Sequence, residues 1–262
     1  MAFATLNGLT VHYELIGDPK AKNLVVFSNA LGTDFRIWLP VFDELSDDMS
    51  FLLYDMRGHG LTSDPGTPFT IDTLADDLIA LTDHLGLRKA IFCGLSVGGL
   101  VVQALAIRKP ELVKKLILAN TAAKIGDAET WNTRIETIRK GGLKSVSDAT
   151  MQRWFTADFH AARAADVAGY KTMLERQSVD AYIRTAEAIR DADYRGQIKA
   201  MTLPVLCLAG DLDQSVPANV VQDTADLIEG SAFEVLEQCG HMPSIEQPEQ
   251  LAALIEDFIR GQ

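Results

Sequence analysis

The chain is poor in cysteine: Cys93, Cys207 and Cys239 are the only three in 262 residues, with no C-x-x-C spacing. That excludes a disulfide framework and points to a reduced, cytoplasmic setting. Positive charge is also scarce, 24 Lys and Arg against 36 Asp and Glu, a formal net charge of −12. Such a field repels phosphate, which argues against nucleic acid or an anionic membrane as partner. An anionic substrate would need a locally placed cation. No apolar run reaches 18 residues, so no membrane-spanning segment is expected. The N-terminal MAFATLNGLTVHYE lacks a basic stretch followed by an apolar one, so no signal peptide is expected either. Repeats and low-complexity tracts are missing.

What is present is an apolar fraction of 47%, enough for a sizeable core. The length suits one large domain, or a core carrying an insertion. Phe3–Leu6 and Leu9–Leu15 flank Asn7-Gly8, a dipeptide that favours the tight hairpin turn. Further strands are expected at Asn23–Ser28, Met49–Asp55, Lys89–Cys93, Val113–Asn120, Leu203–Gly210 and Ala232–Leu236. Helical spacing covers Ile71–Leu85, Val97–Arg108, Ala218–Ile228 and Pro248–Arg260. Continuous apolar strands such as LVVF and PVLCLA suit a parallel sheet covered by helices on both faces. From Ala122 to about Arg195 no convincing strand occurs. The expectation is an α/β core, 1–121 and 196–262, with a helical cap inserted at 122–195.

Within CGLSVGG, Cys93–Gly99, a serine stands between glycines where a strand becomes a helix. Flanking glycines remove the Cβ atoms that would clash in a sharp turn. A serine nucleophile also needs a base, usually a histidine oriented by a carboxylate. Among His12, His59, His84, His160 and His241, only His241 combines a loop with a place after a late strand, where open α/β sheets put their sites. For the carboxylate, AGDLDQSVP offers Asp211 and Asp213, either of which could simply make an Asx-turn.

Gly94-Leu95-Ser96-Val97-Gly98 is a G-x-S-x-G elbow, and with the order Ser…Asp…His the chain resembles the α/β-hydrolase family along essentially its whole length. The turn DMRGHGLTS, Asp55–Ser63, resembles that family's loop after its fourth strand. The resemblance implies a catalytic set of Ser96, Asp213 and His241, the G-x-x-D spacing from Gly210 favouring Asp213 over Asp211. It implies oxyanion donors at the backbone N–H groups of Val97 and Leu31. The second of these normally follows His-Gly, whereas here Asn29-Ala30 stand in that place. SNALGTD with the proline of IWLP, AAKIGDAETWNTRIETIR and MQRWFT are similar to the 3-oxoadipate enol-lactonase group. Membership of that group would imply hydrolysis of a small lactone bearing a carboxymethyl arm, with no metal and no cofactor. Oligomeric state is left open.

Such a substrate is an anion, and Arg134 offers a planar donor fork for it. Trp131 lies three residues earlier, on the same face of a helix. The plainer alternative is that Trp131 packs the cap while Arg134 pairs with Glu129 or Glu136. Arg153, Arg139 and Trp154 are further candidates, and Trp38 reads as core. A broader carboxylesterase, a cofactor-free haloperoxidase-like enzyme and a ligand-binding receptor on the same fold are the alternative readings.

Overall fold

In the structure, a computed structural model describing residues 1–46 and 48–261, the first turn is made where Asn-Gly predicts it. Asn7 and Gly8 have φ of 52° and 75°. They join β1 (Ala2–Leu6) to β2 (Leu9–Ile16) as an antiparallel pair with Leu6 opposite Leu9. The remaining strands are β3 (Leu24–Ser28), β4 (Ser50–Tyr54), β5 (Ala90–Leu95), β6 (Val113–Ala119), β7 (Val205–Gly210) and β8 (Ala232–Leu236). They form one sheet in the order β1-β2-β4-β3-β5-β6-β7-β8, parallel from β4 through β8. Every residue of β3, β4, β5 and β7 is buried, as their unbroken apolar runs require of strands covered on both faces.

The helices among the described residues are α1 (Leu39–Phe42), α2 (Ile71–His84), α3 (Val97–Arg108), α4 (Ala128–Gly141), α5 (Lys144–Trp154), α6 (Ala157–Ala162), α7 (Ala164–Glu175), α8 (Val179–Asp191), α9 (Ala218–Ala225), α10 (Pro243–Glu246) and α11 (Pro248–Arg260). Thr70 starts α2 with a reciprocal side-chain cap on Thr73. Buried from Val97 through Ala106, α3 is the central helix under the sheet. Between β6 and β7 lie α4 to α8 and, among the described residues, no strand. Most boundaries shift by one or two residues from expectation, and two of the shifts have a visible cause. The fifth strand continues to Leu95, because Gly94 and Leu95 still pair with Leu118 and Ala119. Ala225 ends α9 early, and Ile228 closes a turn onto the Ala225 carbonyl instead.

After β4 the DMRGHG turn folds around one buried carboxylate. Asp55 Oδ1 accepts the Phe35 N–H at 2.9 Å, and Oδ2 accepts the Leu61 N–H at 2.9 Å. Oδ2 also meets His12 Nδ1 at 2.7 Å. Arg57 forks onto both oxygens of Asp77 in α2, at 2.8 and 2.9 Å, and ties the turn to that helix. Removing the Asp55 acceptors would leave buried donors unpaired, at about 1–3 kcal/mol each. Asp55→Ala should therefore lower the free energy of unfolding by about 3 kcal/mol, read as a fall in urea midpoint at unchanged slope. Asp55→Asn, which keeps one acceptor oxygen, should lose less.

Candidate active site

Only Ser96 separates the last residue of β5 from the first of α3, so it must reverse the chain by itself. It does so with φ 56° and ψ −118°, a left-handed backbone that costs a non-glycine residue free energy. The surroundings hold it there. Its N–H donates to the Ala119 carbonyl at 3.1 Å, and its carbonyl accepts the Thr121 hydroxyl at 2.6 Å. The glycines are steric necessities: a Cβ on Gly94 would lie 2.4 Å from the Gly98 carbonyl oxygen, and one on Gly98 would lie 2.2 Å from that of Ser28.

Two backbone donors stand near this turn. Val97 opens α3, where the first N–H groups have no partner within the helix. Leu31 lines the same cavity as Ser96. Among the described residues neither N–H donates to a protein acceptor. The loop that carries Leu31 is tied by Asn29, where the related pattern has histidine. Asn29 Oδ1 accepts the Trp38 indole N–H at 2.9 Å, and Asn29 Nδ2 donates to the Tyr54 carbonyl at 2.9 Å. That gives Trp38, fully buried, a structural task.

The two aspartates of AGDLDQSVP bond different partners. Asp213 Oδ2 meets His241 Nδ1 at 2.8 Å, with both side chains buried. Its Oδ1 accepts the N–H groups of Ser215 and Val216, so the Asx-turn and the histidine contact coexist on one residue. Asp211 instead accepts the Cys239 N–H at 2.9 Å. Sequence reasoning missed Asn120, at the end of β6 with φ 45°. Its amide donates to Asp213 Oδ2 at 2.9 Å and to the Gly240 carbonyl at 2.9 Å. A polar residue closing an apolar strand was its only sequence signal.

With Nδ1 held by the carboxylate, His241 Nε2 is the nitrogen left for chemistry. Ser96 and His241 line one cavity of about 480 Å³. No hydrogen bond joins them, a contact that commonly tightens only with substrate in place. The other four histidines do not line it. His12 is stacked between Phe3 and Phe35, and His59 is fully enclosed, its pKa lowered by burial. His84 sits exposed at the end of α2, and His160 bonds the Met151 carbonyl. Burial likewise pushes the Cys239 thiol up, so it is inert beside His241. Among the described residues no group of three or more His, Cys, Asp or Glu could hold a metal ion, and no helix is long and apolar enough to cross a membrane.

The far wall of the cavity comes from α4, α5 and α8 and includes Trp131, Arg134, Arg153, Trp154 and Tyr182. Trp131 is half-buried and donates its indole N–H to the Ile125 carbonyl at 2.8 Å. Arg134 pairs with neither Glu129 nor Glu136. Its Nη2 donates to Tyr182 Oη at 2.5 Å and Thr150 Oγ1 at 3.1 Å, while its buried Nε has no partner. Arg153 donates to the same Thr150 oxygen at 3.3 Å. Burial, then the neighbouring Arg134, pulls the Arg153 pKa below the ordinary guanidinium value. Arg139 faces away, paired with Glu136 and Glu187.

A family model described as the alpha/beta hydrolase fold matches residues 23–248. Two Acinetobacter baylyi proteins are similar over almost the full chain. 3-Oxoadipate enol-lactonase 2 is 38% identical, with 98% of this chain and 95% of that one covered. 3-Oxoadipate enol-lactonase 1 is 32% identical, with 97% and 94% covered. The crystal structure of the enol-lactonase from Burkholderia xenovorans LB400 superposes with a TM-score of 0.94 at 33% identity, covering 99% of this chain and 100% of that one.

The two aspartates make a direct comparison possible. Asp213→Asn should lower kcat for ester hydrolysis by about 10⁴-fold, because an amide favours the wrong imidazole tautomer. Asp211→Asn, which only weakens a backbone tie, should cost about tenfold or less by the same measure. The reverse ranking in steady-state kinetics would reassign the pair.

Proposed function

Since the chain belongs to the α/β-hydrolase family, we propose that it opens a small carboxylate-bearing enol-lactone, 3-oxoadipate enol-lactone, in the catabolism of aromatic compounds. Ser96 Oγ attacks the lactone carbonyl while His241 Nε2 takes its proton. Asp213 keeps the imidazole in the required tautomer and stabilises the imidazolium, and Asn120 keeps Asp213 in place. The N–H groups of Val97 and Leu31 hold the developing oxyanion, and no cofactor is called on. Collapse of the tetrahedral intermediate breaks the ring C–O bond and expels an enolate oxygen, a good leaving group that takes the proton from the His241 imidazolium and leaves the histidine neutral again. A water molecule, deprotonated by His241, then attacks the acyl-serine and releases the second carboxylate. The freed enol relaxes to the ketone.

One observation carries the substrate class: two guanidinium groups face the cavity of a chain with net charge −12, and among the described residues neither has an acidic partner. Like charges sharing one threonine oxygen repel each other, and an anion between them removes that cost. Trp131 and Trp154 supply flat apolar walls beside the cations, suited to a small ring. A carboxylesterase for neutral esters has no use for this pair. We take residues 122–195 as the cap that brings it over Ser96.

The test is progress-curve turnover of freshly generated enol-lactone against a neutral aryl ester of similar size. Ser96→Ala should abolish both activities while circular dichroism stays unchanged, and a folded variant at near wild-type rate would end the serine-hydrolase reading. Arg134→Ala should lower kcat/KM for the lactone by about 10- to 150-fold, matching about 1.5–3 kcal/mol for a hydrogen bond to a charged group. The neutral ester should change little. Arg134→Lys should recover only part of the loss, lacking the planar fork. Equal losses on both substrates would mean that Arg134 only braces Tyr182 and Thr150.

A further inference from the structure

The loop that carries His241 is fixed to an unusual degree. Three successive N–H groups are each taken by a different part of the fold. Cys239 donates to Asp211 Oδ1 at 2.9 Å, Gly240 to Glu246 Oε2 at 2.9 Å, and His241 to the Trp154 carbonyl at 2.9 Å. The carbonyls are held as well, Cys239 by the Leu212 N–H at 2.9 Å and Gly240 by the Asn120 amide at 2.9 Å. Two of these ties lead to the junction between α5 and α6. Glu246 continues there through its other oxygen: Oε1 accepts the Thr156 N–H at 2.9 Å and also the Thr156 hydroxyl. The contact is close, since a Cβ on Gly240 would lie 2.7 Å from the Trp154 carbonyl oxygen and 2.9 Å from Glu246 Oε2.

We propose that Glu246 is a positioning residue for His241, locking its loop to the α5–α6 junction so that base and cap wall form one rigid frame. The proposal rests on His241 acting as the general base. Asp213 fixes the imidazole ring but bonds only one end of it, so the ring's height over Ser96 depends on the backbone that carries it. Glu246 and the Trp154 carbonyl supply two of that backbone's five ties, and they are the two that reach the α5–α6 junction. The last turn of α5 also places Arg153 and Trp154 in the cavity wall. A ligand arm seated on those side chains is therefore held against the same element that holds the histidine loop. A carboxylate is suited to the task, because it accepts from both sides at once and its charge strengthens each bond. A glutamine in its place can present only one oxygen to the three donors.

The proposal differs from a purely stabilising role in what it does to each folded molecule. A misplacement of about 1 Å in a reacting group can cost about 100-fold in rate. Active sites of wild type, Glu246→Ala and Glu246→Gln are counted by titration with a serine-directed phosphonate, and kcat is expressed per titrated site. Glu246→Ala is expected to lose about 10- to 100-fold in kcat per site, equally on the lactone and the neutral ester, with KM within about twofold. Phosphonate labelling should slow by the same factor, and Glu246→Gln should fall between. Wild-type kcat per site, with only the number of sites reduced, would overturn the proposal and leave Glu246 a stabilising residue. A rise in KM at constant kcat would overturn it too. Should the wild type hydrolyse the ester but not the lactone, the substrate reading fails alone, and the per-site loss on the ester still decides the role of Glu246.

Discussion

Everything at the site depends on the backbone of Ser96, held at a φ that a side chain resists. Strain of this kind costs about 1–3 kcal/mol and persists only where the surroundings leave no alternative. Here the surroundings are the end of β6, which takes the Ser96 N–H, and the end of β3, against which Gly98 packs. The same close approach starts α3 directly after the serine, so Val97, with the first backbone N–H of the helix, follows Ser96 without a separate element. Relaxing the turn by one residue would move the hydroxyl and its neighbouring donor together.

Among the described residues there are two buried aspartate–histidine pairs, and their surroundings differ. In the pair His12–Asp55 the ring is clamped between Phe3 and Phe35, and its Nε2 meets no partner. Asp55 there serves backbone donors of a turn. In the pair His241–Asp213 the carboxylate is equally occupied, but the imidazole opens onto a cavity that it shares with a serine. Proximity of acid and base is thus common to both. Access to a third group belongs to one.

Local chemistry was the legible part of the sequence. Asn7-Gly8 announced its hairpin, the glycines around Ser96 announced the sharp turn, and unbroken apolar runs announced strands buried on both faces. His241 could be chosen because it stands in a loop after a late strand, and Asp213 over Asp211 only because the family resemblance implies a G-x-x-D spacing from Gly210. Asn120 and Glu246 could not, since their roles arise from bonds to residues about 90 positions away, Asp213 and Thr156. Arg153 ranked behind Arg134 for a related reason. Spacing along α4 puts Trp131 and Arg134 on one face, but nothing local says how α5 will lie against it. The substitution of Asn29 for histidine became intelligible only once Trp38 and Tyr54 were seen to bond its two ends.

The neighbouring strands β6 and β7 are joined through residues 120–204, which contain the whole five-helix segment. In an unfolded chain the entropy of closing a loop grows only with the logarithm of its length. Extending a connection of about six residues more than tenfold therefore costs on the order of 2 kcal/mol. The buried faces of α4 and α8, with Ile135, Ile138, Tyr182 and Ile189, can offset that by themselves. The segment can accordingly be lengthened, shortened or exchanged while the sheet pairs as before. Evolution can then alter what the cavity admits by rewriting one continuous stretch of gene, provided that the Trp154–Thr156 junction, which bonds the His241 loop, keeps its place.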